Sequence, residues 1–298
     1  MSDGRHDASS SRRDPATIAW IAGRWGSPAE LSLPLLDRGL QLADGLFETV
    51  LVLEGQPQLL EQHLRRWTDS AALLAMAPPP GRAELEPLIG EAIQRAGLKG
   101  DGAGPGSGAL RLNWSRGDGS GRGIDLPAPG FTGPRDAAAS HRFWLQLSPC
   151  TPTFTAQTAR ISRHERRNAD SRLSQCKTFA YGQAIQARLE ARQAGADEAL
   201  LLNGHGDLCC AAVANLLVQR QGQWLTPPLS SGCLPGVMRG RALELGLAKE
   251  TRLQSQPQAG DHWLLLNSLA ARPLSALDGA ALDLLSADAA ETFWRQLL

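Results

Sequence analysis

The chain has 298 residues, enough for two domains at roughly 100–200 residues each. Its 30 Lys and Arg residues balance 30 Asp and Glu residues, which argues against a nucleic-acid partner, because such partners need a basic excess. No apolar run approaches the roughly 18–20 residues of a membrane span. The polar start, residues 1–16, lacks the apolar segment of a secretory signal and is interpreted as a disordered tail.

The first half of the chain carries both strand and helix patterns. In chain order we expect a strand at 17–22, a β-hairpin at 48–60 that turns at Glu54 and Gly55, helices at 61–76 and 83–96, and strands at 109–115 and 142–148. A long Gly- and Pro-rich loop separates the last two strands, and loops of that length are usually mobile or functional.

A linker near residue 150 precedes the second half. The elements expected there are a strand at 156–162, a helix at 179–194, a strand at 198–202, a turn at 203–207, a hairpin at 215–228, a helix at 237–246 and a terminal helix. Strands and helices mixed in two halves predict an α/β (mixed α+β) protein.

Cysteine usage points to a reducing compartment. The number of cysteines is odd and no C-x-x-C spacing occurs, so neither a disulfide framework nor a zinc site is predicted. We therefore expect a cytoplasmic protein without a metal. The five cysteines are Cys150, Cys176, Cys209, Cys210 and Cys233.

Lysine is rare, which narrows the candidates for amine chemistry to three residues. Lys99 lies in a Gly-flanked loop and Lys249 near a helix end, so both are interpreted as surface charges. Lys177 lies where an extended segment enters a helix, four residues before the only tyrosine, Tyr181. The chain has no nucleotide-phosphate motif of the GxGxxG or GxxxxGK[ST] type, and neither HExxH nor GxSxG.

Four segments together resemble the class IV aminotransferases, the fold-type-IV enzymes that use pyridoxal 5′-phosphate (PLP). They are DRGLQLADGLFETV (37–50), EQHLRRW (61–67), KTFAYG (177–182) and the stretch from GDLCCAAVANLLV to TPPLSSGCLPGVMRG (206–240). Their order and spacing match the family from about residue 17 to 280. The resemblance implies a small N-terminal α/β domain (17–150), a larger C-terminal PLP-binding domain (151–298), PLP in the cleft between them, and a homodimer.

Two residues carry the reacting end of the cofactor in this resemblance. Lys177 matches the lysine that holds PLP as a Schiff base and then acts as acid and base. Tyr181 matches the tyrosine that hydrogen-bonds the phenolic oxygen of PLP. The structural alternatives are an exposed helix-cap lysine and an ordinary half-buried aromatic residue.

The phosphate end of the cofactor is matched by Arg66, by a helix start and by a hydroxyl. Helix N-termini bind phosphate through free N–H groups and the helix dipole, and Gly236, Val237 and Met238 match such a start. Ser268 matches the residue that completes the phosphate site. Arg65 is interpreted as the solvated neighbour of Arg66.

Other residues are assigned less directly. Leu234 matches the residue against the pyridine face, with plain core as the alternative. Arg111 is either a ligand for a substrate carboxylate or an exposed strand arginine. A structural role is favoured for four residues next to the site: Asp44, Glu48, His63 and Asn215.

One position departs from the family. A glutamate five residues before the asparagine normally keeps the pyridine nitrogen protonated, and Cys210 stands there instead. A thiol with an ordinary pKa of about 8.5 is a weak donor and cannot hold a pyridinium as a carboxylate does. Asp207 is expected to point to the opposite face of its strand.

Three activities of the family compete: 4-amino-4-deoxychorismate lyase, which gives p-aminobenzoate and pyruvate toward folate, and the branched-chain and D-amino-acid aminotransferases. The CCAA segment and the methionine of GVMR resemble the lyase branch. An elimination driven by aromatisation also needs a weaker electron sink than transamination does. The lyase is therefore predicted, with an aminotransferase as one alternative and a catalytically weak PLP-binding homologue as another.

Overall fold

The computed structural model describes residues 16–98, 106–118, 123–126 and 141–298. Residues 1–15 of the predicted tail, most of the loop after residue 116, and Lys99 lie outside the described residues. The strands are β1 Ile18–Ile21, β2 Arg24–Gly26, β3 Gly45–Leu53, β4 Gln56–Pro57, β5 Ser107–Ser115, β6 Arg142–Pro149, β7 Gln157–Arg167, β8 Glu198–Asn203, β9 Leu208–Ala211, β10 Asn215–Arg220, β11 Gln223–Thr226, β12 Ala248–Glu250, β13 His262–Asn267, β14 Ala270–Leu277 and β15 Ala280–Ala281. The helices are α1 Arg38–Leu42, α2 Leu60–Leu73, α3 Arg82–Ala96, α4 Gly182–Gln193, α5 Val237–Glu244 and α6 Ala287–Gln296.

The first half forms one six-stranded sheet in the order β2-β1-β6-β5-β3-β4. Alternation along β5 directs Leu110 and Leu112 into the core, while Arg111 between them stays partly accessible on the other face. Helices α2 and α3 cover the apolar face and contribute Trp67 and Leu85 to that core. The opposite face is thereby left free to line a site.

The second half forms a nine-stranded sheet in the order β12-β11-β10-β13-β14-β7-β8-β9, with β15 on β14. Strand β9 also pairs with β10, where Cys210 lies opposite Asn215. This pairing closes β7, β8, β9, β10, β13 and β14 into a ring. Cys210 therefore lies at the closure of the ring, next to the strand that carries Asn215.

Most predicted elements are confirmed, and the mixed α/β fold class with them. The hairpin turns at Glu54 and Gly55, which both have positive φ values, 51° and 73°. The predicted strand at 156–162 extends to Arg167. The pair β13–β14 was not predicted, because its apolar run gives no clear alternation. Helix α4 begins at Gly182, three residues later than predicted.

The late start of α4 has a physical cause that matters for the site. Residues 177–179 lie extended along the beginning of β3, where Leu46 bridges to Thr178. The Phe47 N–H donates to the Lys177 carbonyl at 2.9 Å, and the Phe179 N–H donates to Gly45 at 3.0 Å. These contacts join the two halves of the chain at Lys177.

The two sheets divide near residue 150, since β6 ends at Pro149 and β7 begins at Gln157. The domain boundaries 17–150 and 151–298 stay a prediction. All five cysteines are free thiols. Within the described ranges, no helix has the length and apolarity needed to cross a membrane.

Candidate active site

A cavity of about 590 Å³ opens between the two halves of the chain. Elements β3, α2 and β5 of the first half contribute to its lining, together with segments of the second half. Every residue predicted from the sequence for cofactor or substrate lines it: Arg66, Arg111, Lys177, Tyr181, Cys210, Leu234, Gly236, Val237, Met238 and Ser268. The fold brings the whole set together, while the individual roles stay predictions.

Asp44 and Gly45, at the start of β3, fix the position of the segment that carries Lys177. A Cβ on Gly45 would lie 2.2 Å from the Phe179 ring, so only glycine lets β3 approach this segment. Asp44 accepts from Arg38 Nε and Arg116 Nε, both at 2.9 Å. The motif is therefore structural, as the sequence interpretation favoured.

The amine of Lys177 faces an aromatic and cationic environment. Its Nζ donates to the Tyr181 hydroxyl at 3.1 Å and lies 4.3 Å from the centre of the Phe47 ring. Arg111 packs on the same ring, with its guanidinium carbon 3.6 Å from the centre. Among the described residues no carboxylate is hydrogen-bonded to the amine, so it is available for covalent chemistry with a carbonyl group.

Arg66 reaches the cavity from α2 and is held by a buried carboxylate. Its Nε donates to Glu48 Oε1 at 2.8 Å and its Nη2 to Glu48 Oε2 at 2.5 Å. Its Nη1 donates to the Pro235 carbonyl at 3.1 Å, just before α5. The neighbouring Arg65 is exposed. This bidentate contact fixes the Arg66 guanidinium beside the start of α5.

Glu48 continues into a chain of buried polar groups. Burial acts to raise its pKa, but the charge of Arg66 and the hydrogen bonds from His63 and Arg66 hold that pKa at about 2. His63 Nδ1 lies 2.8 Å from Glu48 Oε2, and His63 Nε2 lies 3.3 Å from the Ser268 Oγ. The chain Arg66–Glu48–His63–Ser268 thus begins and ends at the cavity wall.

The start of α5 allows a ligand to come close to the helix backbone. Gly236 is its N-cap residue and makes no side-chain cap. A Cβ on Gly236 would fall 1.9 Å from Asn215 Oδ1, so this position accepts only glycine. Asn215 Nδ2 in turn donates to the Leu234 carbonyl at 2.9 Å. The first turn of α5 therefore faces the cavity with backbone N–H groups and no side-chain cap.

The cavity wall around Cys210 carries thiols and an arginine, in contrast to the carboxylate-held arginine near the start of α5. The neighbouring Cys209 thiol lowers the pKa of Cys210; burial opposes this lowering, the Arg167 cation adds to it, and the charge of Glu198 also opposes it. Arg167 also lines the cavity and donates to the Gly232 and Ser174 carbonyls, both at 3.2 Å. Asp207 hydrogen-bonds Gln254 instead and does not line the cavity.

The electrostatics of the lining are one-sided. Arg66, Arg111, Arg167 and Lys177 line the cavity, and among the described residues no aspartate or glutamate does. Glu48 neutralises Arg66 from behind, whereas Arg111 and Arg167 form no ion pair with any described carboxylate. The cavity is therefore suited to an anionic ligand.

These donors fit PLP. A free amine at Lys177 suits its aldehyde, and a fixed guanidinium beside an uncapped helix start suits its phosphate. The clash that any Cβ at Gly236 would produce keeps that helix start open to close approach. Lys177, Tyr181, Arg66, Ser268 and the start of α5 would hold the cofactor.

Sequence reasoning missed several residues of the lining, and two of them bear on the chemistry of the site. Phe47 forms the surface on which Lys177 and Arg111 pack, and its place within the family-like segment DRGLQLADGLFETV (37–50) was the available signal. Arg167 is one of several arginines near the end of β7, a run that gives no sign of which side chain turns inward.

The family model for amino-transferase class IV matches residues 45–276 of the chain. A Methanocaldococcus jannaschii protein, provisionally named a branched-chain-amino-acid aminotransferase, is 25% identical over 80% of this chain and 77% of its own length. The D-alanine aminotransferase of Bacillus licheniformis is 23% identical over 86% and 87%. The aminodeoxychorismate lyase of Bacillus subtilis is 23% identical over 88% and 87%.

Solved structures agree on the fold. A hypothetical aminotransferase from Mycobacterium tuberculosis in a PLP-bound form superposes with a TM-score of 0.77 at 21% identity. The superposition covers 94% of this chain and 98% of that protein. The predicted fold-type-IV architecture is confirmed by this similarity.

Proposed function

The chain belongs to the class IV aminotransferases, a family of PLP-dependent enzymes, and on that premise we propose that it is a 4-amino-4-deoxychorismate lyase. The reaction gives p-aminobenzoate and pyruvate, a step toward folate. We further propose a cytoplasmic homodimer, as the family resemblance implies.

The observation that carries the proposal is the absence of a carboxylate from the cavity lining among the described residues. Transamination passes electrons fully into the cofactor ring and therefore depends on a protonated pyridine nitrogen. Elimination that produces an aromatic ring draws part of its driving force from the product. A site with Cys210 and Arg167 in place of a carboxylate is thus suited to elimination.

The cations of the lining support the same substrate. Aminodeoxychorismate carries two carboxylates, one on the ring and one on the enolpyruvyl group. Arg111 and Arg167 line the cavity without a carboxylate partner in the described part of the chain. We propose Arg111 as a ligand for one of these carboxylates; burial lowers its pKa, yet a guanidinium stays charged at neutral pH.

PLP, when bound, supplies the electron sink. Lys177 Nζ is the base that removes the proton from the ring carbon bearing the substrate amino group. The bond between the neighbouring ring carbon and the enolpyruvyl oxygen then breaks, and the same Nζ returns the proton to the terminal methylene carbon of the enolpyruvyl group, which leaves as pyruvate. Tyr181 accepts a hydrogen bond from that amine at 3.1 Å and so fixes its position.

An aminotransferase acting on branched-chain or D-amino acids is the second candidate, and Cys210 is the observation that favours it. The neighbouring Cys209 thiol and the Arg167 charge lower the pKa of Cys210, although burial and the charge of Glu198 oppose them. A Cys210 thiolate would supply the negative charge that the family glutamate provides. The relatives named as aminotransferases are as similar to this chain as the lyase relative.

The experiment is incubation of the pure protein with enzymatically generated aminodeoxychorismate. We expect p-aminobenzoate fluorescence and pyruvate in equal amounts, both absent with Lys177→Ala. Strong transamination without p-aminobenzoate would establish the second candidate instead. PLP binding with neither activity would indicate a catalytically weak PLP-binding homologue.

A further inference from the structure

The buried chain from Glu48 to Ser268 fixes where its hydrogens lie. Glu48 is ionised, because its pKa is held at about 2, and a carboxylate only accepts hydrogen bonds. His63 Nδ1, at 2.8 Å from that carboxylate, must therefore carry a hydrogen. A neutral His63 then has a bare Nε2, and the Ser268 hydroxyl, at 3.3 Å, donates its only hydrogen to it.

This arrangement conflicts with phosphate binding. Phosphate oxygens are acceptors, so a hydroxyl that binds them must donate. If Ser268 turned its hydrogen to a phosphate, His63 Nε2 would lose its partner while the side chain stays 99% buried, since its exposure is 1%. An unpaired buried acceptor costs free energy, which would weaken phosphate binding.

We propose that His63 takes up one proton from solvent when the cofactor phosphate binds, and that this proton makes Ser268 a donor to the phosphate. Protonated His63 donates from Nδ1 to Glu48 and from Nε2 to the Ser268 oxygen. The hydroxyl hydrogen then points to the phosphate, and every buried group keeps a partner. His63 is thus a positioning residue, and the inference rests on the phosphate site of the proposed function.

The charges that face His63 explain why the proton arrives with the ligand. Burial lowers the pKa of His63, the Glu48 contact opposes this, and the Arg66 and Lys177 cations add to the lowering. A phosphate bound at Ser268 would bring nearly two negative charges close to the His63 imidazole. Its arrival offsets the two cations and raises the pKa of His63.

The test uses the full chain freed of cofactor and two ligands that do not condense with Lys177. Pyridoxamine 5′-phosphate and pyridoxamine differ only in the phosphate, so the ratio of their affinities isolates its contribution. Between pH 7 and 8.5 the phosphate is already a dianion, since its second pKa is about 6. We expect this ratio to fall by up to about tenfold per pH unit, the slope for one linked proton.

Variants of His63 and Ser268 distinguish proton uptake by His63 from a purely structural role of these side chains. His63→Gln keeps hydrogen-bonding groups at the position but cannot titrate, so its affinity ratio should be lower at pH 7 and independent of pH. Ser268→Thr should retain the wild-type slope, because it keeps the hydroxyl. Ser268→Ala should lose about tenfold in the ratio at pH 7, since no hydroxyl remains to donate.

The protonation state of His63 can also be measured directly in the wild-type protein, without any variant. In wild-type protein labelled with ¹⁵N-histidine, the His63 ring should have one bare nitrogen without ligand and two protonated nitrogens with pyridoxamine 5′-phosphate. A ring that stays neutral, or a large affinity ratio that is flat with pH, would overturn the role of His63 and leave the proposed function intact. A ratio near one at every pH would overturn the phosphate site itself.

Discussion

The two ends of the cavity differ in how their charges are compensated. At the start of α5, the Arg66 cation is held by buried Glu48, and Glu48 by His63. At the closure of the second sheet, Arg167 and Cys210 face the cavity without a carboxylate among the described residues. We propose the first end as the phosphate site. On the proposed orientation of PLP, the second end would lack the group that makes the ring a strong acceptor of electrons, and cofactor binding and electronic activation would then be separable.

The largest effect is expected where the two ends meet, at Lys177. Lys177→Ala should abolish the visible absorption band of bound PLP and all turnover, because no other described lysine lines the cavity. The far-ultraviolet circular dichroism should stay unchanged, since the side chain is only partly buried. In the native protein, borohydride reduction and peptide mapping should place the pyridoxyl group on Lys177. A label on Lys249 instead would contradict the assignment.

Glu48→Gln should damage the phosphate end as a structural unit. Breaking a buried ion pair by removing one partner costs about 3–5 kcal/mol, and Arg66 and His63 would both lose their ionised acceptor. Urea unfolding measures the loss. Glu291→Gln, which breaks an exposed ion pair with Arg295, is the matched control and should change stability by less than about 0.5 kcal/mol. Equal losses would show that burial of the pair has no special weight.

Low pH should reduce the contribution of Glu48 to the free energy of unfolding. The folded-state pKa of Glu48, about 2, lies below its ordinary value of 4.5. This carboxylate therefore contributes about 3 kcal/mol to the free energy of unfolding above pH 4.5, and the contribution is lost as pH falls from 4.5 toward 2. Between pH 6 and pH 3 the difference in unfolding free energy between wild type and Glu48→Gln should narrow by about 2 kcal/mol, because the rest of the contribution is lost only as the pH approaches 2. A constant difference would contradict the assignment of the ionised state.

Lys177 and Arg66 could be placed from the sequence because their neighbours have short-range signatures. Lysine and tyrosine lie four residues apart, and the arginine follows a helical apolar stripe. The inward turn of Arg167 and the pairing of β13 with β14 depend on contacts between distant segments. Likewise, the delayed start of α4 depends on β3, more than 120 residues earlier in the chain. No local pattern encodes such contacts.

Arg66→Ala should sharpen the distinction between binding and chemistry. Charge-assisted contacts to a phosphate contribute about 1.5–3 kcal/mol, so PLP affinity should fall by roughly 10- to 100-fold. Turnover at saturating cofactor should change far less. Arg65→Ala is the matched control, because Arg65 is exposed on the same helix. Equilibrium dialysis checks both, and normal binding by Arg66→Ala with weak binding by Arg65→Ala would reverse the choice between them.

The smallest effect, a change in ratio, is expected from restoring a carboxylate at the other end. Cys210→Glu should raise transamination relative to elimination, because a carboxylate stabilises the pyridinium by direct charge pairing. Only protein that still binds PLP is informative, since a carboxylate buried beside a neutral ring would cost several kcal/mol. Assays of p-aminobenzoate and of half-transamination on the same preparation give the ratio. An unchanged ratio would mean either that Cys210 does not act on the ring or that the role of the family glutamate is already filled in the native protein.

The protonation state of the cofactor nitrogen tests the contrast between the two ends most directly. PLP labelled with ¹⁵N in the ring, bound to the native protein, reports that state through its nitrogen chemical shift. We expect an unprotonated nitrogen in the native protein and a protonated one in Cys210→Glu. A protonated nitrogen in the native protein would show that the Cys210 end activates the ring after all and would contradict the contrast between the two ends.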